Sequence, residues 1–258
     1  MAQIYRLFLP SDFSESAFLN QDASWVIDDK PTLHHVVTVQ RLKVNQQVIT
    51  VHPTLERARV CSVIGISKKT LELKPLDLLP IAETQLPEIT LAMALIKEAR
   101  WDWMLQKATE LGVRTIQPLI TEFTVVSPNN IEHKLERWQA ICQTAALQSE
   151  GLFIPTVLPP ISLAAFLNQP SSSNTAMFVA LERETETIAS LKQALAAISE
   201  PITAFFIAVG AEGGWSEPEK ALWQNASDRW QAVSLGSRIL RAETAALFMI
   251  GAITYEHP

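Results

Sequence analysis

From residue 88 onward the chain alternates between two hydrophobic periods. Ile89-Thr-Leu-Ala-Met-Ala-Leu-Ile96, Val113 to Ile120, Ala176-Met-Phe-Val-Ala-Leu181 and Ala204-Phe-Phe-Ile-Ala-Val209 are short apolar runs. That is the pattern of strands covered on both faces. Trp101, Met104, Leu105, Ala108 and Leu111 fall at helical spacing, and Gly112 stands where such a helix takes its C-terminal cap. Ile131 to Gln148 predicts a second helix, and another lies between the strands at 176–181 and 204–209. Ser216-Glu-Pro-Glu219 reads as a capping box with proline in the first turn. A last helix is expected from Ala242 to Tyr255, and Pro159-Pro160 and Asn168 to Thr175 are loops. This alternation specifies the α/β class, with helices packed on a mostly parallel sheet.

The first 80 residues follow a different rule. Gln47 to Val51, Arg57 to Val63 and Thr70 to Lys74 are short β-branched stretches, which predict a small β-barrel. A helix is expected from Pro31 to Arg41. Pro75 to Pro87 holds three prolines without a period and reads as a linker. The expected division is therefore 1–78 and 79–258.

With 48% hydrophobic and 19% charged residues among 258, the chain can bury an ordinary core. No stretch approaches the roughly 20 uninterrupted apolar residues of a membrane span, and the start at Met1 does not read as a secretory signal. Cys61 and Cys142 are far apart in apolar runs, so buried reduced thiols and a cytoplasmic location are expected. No metal site is expected, because the adjacent His34 and His35 point in different directions. The net charge of −6 argues against a protein that coats nucleic acid nonspecifically. Residues 1–80 nevertheless carry nine Lys/Arg against eight Asp/Glu, and the remainder carries twelve against nineteen. Arg41 with Lys43, Arg57 with Arg59 and Lys68 with Lys69 form either a small RNA-facing patch or a solvated sheet face.

Two segments carry candidate chemistry. Ile207-Ala-Val-Gly-Ala-Glu-Gly-Gly-Trp-Ser216 and Leu235-Gly-Ser-Arg-Ile-Leu-Arg-Ala-Glu-Thr-Ala-Ala-Leu247 each leave a strand through a glycine turn and enter a helix. Such turns form ligand sites at the strand ends of α/β sheets. The first holds an acid, Glu212, and no lysine, so it is neither a Walker A loop nor a dinucleotide turn. A cofactor with a positive charge, an adenosine and no phosphate suits it, and S-adenosylmethionine is one. In the second, Ile239 and Leu240 offer apolar walls. Arg238 and Arg241 offer positive charge, and Glu243 is placed to hold either arginine or to form a surface ion pair.

Together with Asp102-Trp-Met-Leu-Gln-Lys-Ala-Thr-Glu-Leu-Gly112, these segments resemble the RNA-methyltransferase family that modifies N3 of a single uridine in bacterial 16S ribosomal RNA, within the SPOUT superfamily. A weaker match at His34 to Lys43 resembles the family's N-terminal PUA-like RNA-binding barrel. The resemblance implies a SPOUT α/β trefoil-knot domain after that barrel, a homodimer, and S-adenosylmethionine as the cofactor. It implies a 16S RNA or 30S-subunit substrate, with no membrane and no metal. Carried onto this chain, the cofactor cleft comprises Leu181, Gly210, Glu212, Gly213, Leu235, Gly236, Ile239 and Leu240. The methyl acceptor sits near Arg238, Arg241 and Glu243. Arg241 stabilises the anion of a deprotonated uracil and Glu243 orients it.

The chain departs from the family's pattern at four places. It has Ala211 for proline, Thr121-Glu-Phe123 for Ser-Glu-Arg, and Gln148-Ser-Glu-Gly151 for Gln-Ser-Gly-Arg. His52 to Arg57 replaces an Asp-Gly-x-Gly-like turn. Two lost basic positions leave room for a different RNA target, or for a noncatalytic RNA-binding or assembly factor with the same fold. Lys107 and Glu110 are either neighbours of the cleft or surface charge.

Overall fold

Alternating burial organises the first part of the chain. In the computed structural model, residues 5–34, 36–37, 41–80, 87–124, 131–170, 174–181, 188–199 and 202–256 are described. They divide into two units, Met1–Glu83 with Ala146–Ile154, and Thr84–Ala145 with Pro155–Pro258. The first holds strands β1 (Tyr5–Phe8), β2 (Trp25–Ile27), β3 (Gln47–His52), β4 (Arg57–Ile66) and β5 (Leu71–Leu78), and helices α1 (Glu15–Leu19) and α2 (Lys30–His34). The strands form one sheet in the order β1-β3-β4-β5-β2, antiparallel except for the β1–β3 pair. One face packs Leu7, Val48, Cys61, Val63 and Leu73 on Phe18 and Trp25. The other packs Phe8, Val51 and Ala58 on Ala146, Leu147, Leu152 and Ile154. A sheet apolar on both faces needs cover on both, and this is why Ala146–Ile154 joins the first unit.

Three expectations for this unit change. Asp29 Oδ2 accepts the Thr32 N–H at 2.9 Å and caps α2, but α2 ends at His34. Val36 and Val37 continue in a wider π-helical turn, and Arg41 leaves it at φ 52°. His35 and residues 38–40 lie outside the described residues. The expected linker loses its first part, because β5 runs through Pro75 to Leu78. Pro75 pairs with Cys61 beside a register shift, and β2 reaches only Leu71–Leu73, so the missing N–H falls where the ladder tolerates it. Residues 81–86 of that linker are outside the described residues. Arg59 is not part of a surface patch. It is 2% exposed, donates from Nη2 to the Leu19 carbonyl at 3.3 Å, and lies 5.8 Å from the Phe18 ring centroid. Arg41, Lys43, Lys68 and Lys69 are exposed and Arg57 is half-buried. Both thiols are buried and free, and burial pushes that of Cys61 up to about 11.

The second unit is the α/β domain. Its strands are β6 (Glu88–Ala94), β7 (Thr115–Ile120), β8 (Thr156–Val157), β9 (Ile161–Ser162), β10 (Thr175–Ala180), β11 (Ala204–Val209) and β12 (Gln231–Val233). Its helices are α3 (Glu98–Glu110), α4 (Ile131–Gln148, whose last turn enters the first unit), α5 (Leu163–Leu167), α6 (Leu191–Ala196), α7 (Glu217–Asn225) and α8 (Ala242–Glu256). The strands are all parallel, in the order β12-β10-β11-β6-β7-β8, with β9 also on β7. Leu91, Ala92, Met93, Phe205, Ile207 and Ala208 are fully buried. Each large apolar side chain so placed contributes about 1.5–3 kcal/mol. β12 lies at the sheet's outer edge, yet the chain after it returns, and α8 packs on α3, α6, β6 and β11.

Helix α3 shows how local sequence sets these boundaries. Its buried face is Trp101, Met104, Leu105 and Ala108, as the spacing predicts. Past Leu111 the chain turns through Gly112 at φ 83°. The Gly112 N–H donates to the Thr109 carbonyl and the Val113 N–H to that of Ala108, each at 3.0 Å. This is a Schellman cap. Replacing Gly112 by alanine forces a side chain into the left-handed region and should cost about 1–2 kcal/mol, read from the midpoint of urea denaturation. A change under about 0.3 kcal/mol would show that the cap does not hold the helix end.

Candidate active site

The C-terminal ends of β6, β10, β11 and β12 lie along one edge of the parallel sheet. The segments that leave there surround a cavity of about 600 Å³. The first wall is Val209–Trp215. Gly210 permits a backbone approach that a side chain would block, because a Cβ there would lie 3.0 Å from the Gly214 carbonyl and 3.2 Å from the Trp215 ring. Gly214, at φ 71°, closes the turn by donating its N–H to the Ala211 carbonyl at 2.9 Å. A backbone bond therefore closes the turn that begins at Ala211.

Two buried anchors fix this loop. The Trp215 indole N–H donates to the Ala180 carbonyl at 3.1 Å, and its ring meets Trp223, which meets Trp230, with centroids 5.1 and 5.0 Å apart. The Glu219 carboxylate, 8% exposed, accepts the Ser216 N–H and the Glu122 N–H, each at 2.9 Å. The first bond is the carboxylate half of the expected capping box. The second ties in the turn after β7, whose Phe123 rests against Gly213.

The second wall is Ser234–Ala242. Ser234 continues β12 by pairing with Ser190. The Leu181 N–H donates to the Val233 carbonyl at 3.2 Å, which places Leu181 beside this wall. Gly236 turns the chain at φ 115°. Arg238, Ile239 and Arg241 then run exposed along the cavity, with Ile239 at 76%.

The structure brings Leu181, Gly210, Glu212, Gly213, Leu235, Gly236, Arg238, Ile239, Leu240 and Arg241 to this single cavity. Glu243 lies behind it, 6% exposed. Its carboxylate is not turned toward Arg241 or Arg238 as expected. Oε1 lies 3.9 Å from Nε of Arg100, because Glu243 sits in the first turn of α8 on the side that packs against α3. Arg100 also donates from Nη1 to Glu212 and lines the cavity, so it joins both walls from a third element. Sequence reasoning passed over Arg100. The available signal was a lone arginine in the helix turn that follows β6, at the same sheet edge as both glycine loops. Lys107 and Glu110 pair with each other at 2.7 Å, away from the cavity. Among the described residues no group of three His, Cys, Asp or Glu side chains is placed to hold a metal ion. No helix among them is long and apolar enough to cross a membrane.

Residues 83–254 match a family model described as an RNA methyltransferase domain. A ribosomal RNA small subunit methyltransferase E from Rickettsia conorii is 33% identical over 86% of this chain and 85% of its own length. One from Synechocystis is 38% identical over 66% of this chain, which spans about 55% of that relative's length. The crystal structure of a ribosomal RNA small subunit methyltransferase E from Neisseria gonorrhoeae, bound to S-adenosyl methionine, superimposes with a TM-score of 0.83. It is 29% identical, and the match covers 98% of both chains.

The Glu219 bonds should be measurable in stability. Glu219→Ala strands the buried Ser216 N–H and frees the part-buried Glu122 N–H, and should cost about 1–3 kcal/mol in urea denaturation. A loss below about 0.5 kcal/mol would mean that the carboxylate does not hold the loop.

Proposed function

The chain belongs to the ribosomal RNA small subunit methyltransferase E family, and from that premise we propose that it transfers a methyl group from S-adenosylmethionine to N3 of one uridine in small-subunit ribosomal RNA. The observation that carries this reading is the convergence of both glycine loops on one cavity. Gly210, Glu212 and Gly213 on one wall, with Leu181, Leu235, Gly236, Ile239 and Leu240 on the other, hold the cofactor. When bound, it supplies a methyl group on a positively charged sulfur. N3 of uracil is a nucleophile only after losing its proton, and the resulting anion spreads onto O2 and O4. The exposed guanidiniums of Arg241 and Arg238 at the cleft rim stabilise that anion. Glu243 faces Arg100 rather than Arg241 and so takes no part in holding the acceptor.

The remaining parts of the reading follow from the same premise. The five-stranded sheet of the first unit is a PUA-like RNA-binding barrel, and its exposed cations at Arg41, Lys43, Lys68 and Lys69 meet phosphates. The return of α8 to the middle of the sheet after the outermost strand β12 supports a trefoil knot. The chain works in the cytoplasm, where its RNA is. It pairs with a second copy through the outer stripe of α8, where Phe248 is 48% and Tyr255 is 83% exposed. A second reading keeps the chemistry and changes the RNA target. It is favoured by Phe123, exposed against Gly213, and by Glu150, an acid paired with Arg6 at 3.3 Å.

The test is methyl transfer from labelled S-adenosylmethionine to 30S subunits lacking the modification, beside naked 16S RNA and bulk tRNA. Label at one uridine of the small-subunit RNA is expected. Label only in another RNA would favour the second reading, and no label in any RNA would overturn both. Arg241→Ala should lower turnover by about 100-fold or more while cofactor affinity stays within about threefold. Light scattering should give twice the chain mass of 28.7 kDa, reduced toward one chain by Phe248→Asp with Tyr255→Asp. A wild-type mass near 28.7 kDa would contradict pairing.

A further inference from the structure

The cleft wall holds a charge arrangement that the transfer reaction itself does not use. Arg100 spends Nη1 on the Glu212 carboxylate, while its Nε remains 3.9 Å from Glu243 Oε1. Glu243 is 6% exposed, and its Oε2 has no hydrogen-bond partner among the described residues. A buried carboxylate oxygen without a partner is costly and needs a cause. Here one guanidinium faces two carboxylates, bonding Glu212 and standing 3.9 Å from Glu243, so the trio carries a formal charge of −1. The other cations of the wall do not correct this. Lys220 is engaged by Glu217 at 2.9 Å, and Arg238 and Arg241, exposed at the rim, form no ion pair with Glu212 or Glu243 among the described residues.

Resting on the reading of this cleft as the S-adenosylmethionine site, we propose that Arg100, Glu212 and Glu243 form a charge-sensing trio that sets the cleft's preference for the cationic cofactor over its neutral product. The cofactor carries a carboxylate, an ammonium and a sulfonium, for a net charge of +1. In the transfer the N3 proton goes to solvent water, the sulfur–methyl bond breaks with its electron pair left on sulfur, and the N3 anion forms the new carbon–nitrogen bond. The product, S-adenosylhomocysteine, keeps the ammonium and the carboxylate and is neutral. A 600 Å³ cavity is on the order of 10 Å across, about one Debye length, so a bound cation is felt by all three groups. Glu212 lines the cavity with its side chain 37% exposed and takes up the ligand's positive charge. The guanidinium it releases closes on Glu243 and satisfies the stranded oxygen. Methyl transfer removes the sulfonium charge and restores the imbalance, which weakens the hold on product.

Isothermal titration with S-adenosylmethionine and with S-adenosylhomocysteine tests this through the ratio of the two Kd values, product over cofactor. Glu243→Gln removes the excess negative charge, and the ratio should fall about fivefold, the effect of a unit charge about 8 Å away at an effective dielectric of about 40. Arg100→Gln adds to the excess, and the ratio should rise by about the same factor. The double variant has the wild-type net charge, and its ratio should return to within about twofold of wild type. If Arg100→Gln does not fold by circular dichroism, Glu212→Gln takes its place, and its ratio must fall with that of Glu243→Gln. A trio that is only scaffold would weaken both ligands together and leave the ratio unmoved in every variant, which overturns the proposal. Wild-type protein that binds neither ligand would instead remove the cofactor reading, and the proposal with it.

Discussion

Strand β11 is the constraint on which the candidate site depends. It lies between β10 and β6, parallel to both, with Phe205, Ile207, Ala208 and Val209 buried. Its two faces differ in size, Phe205, Ile207 and Val209 on one and Ala204, Phe206 and Ala208 on the other, so a slip of one residue would exchange large and small side chains in a close-packed core. Parallel order also sends the segments after β6, β10, β11 and β12 out at one edge. Arg100, Leu181, the Gly210–Gly214 turn and the Ser234–Ala242 segment therefore meet around one cavity, although the sequence scatters them.

The glycine turns alone would leave those walls loose, and buried polar groups give them shape. Trp215 ties the first loop to the end of β10. Glu219 holds the start of α7 and the turn after β7 with one carboxylate. Arg100 spans both walls. Each of these side chains joins segments far apart in the chain, so tertiary contacts, and not the glycine turns alone, bring the walls of the cleft together.

Legibility in the sequence followed burial. The strands at 89–96, 176–181 and 204–209 could be read because cover on both faces leaves continuous apolar runs. The α3 stripe with Gly112 could be read because a helix writes its period and its cap locally. That both glycine loops border one cavity was legible from their strand–turn–helix context. What failed was non-local. Pro75 looked like a linker residue because a bulge in a paired strand leaves no local mark. Arg59 resembled surface charge because nothing near it in sequence announces the Leu19 carbonyl and the Phe18 ring. Arg100 was missed for the same reason, since its partners lie in two later loops. The threading implied by the family resemblance has no periodic signature at all.

The central claim is that the cavity between the two glycine loops is where the cofactor sits. A crystal structure of the protein grown with S-adenosylmethionine tests it most directly. The account expects density for the cofactor between Gly210–Gly214 and Leu235–Leu240, with its sulfur facing the rim where Arg241 stands. Cofactor bound elsewhere on the chain, with this cavity holding only water, would contradict it.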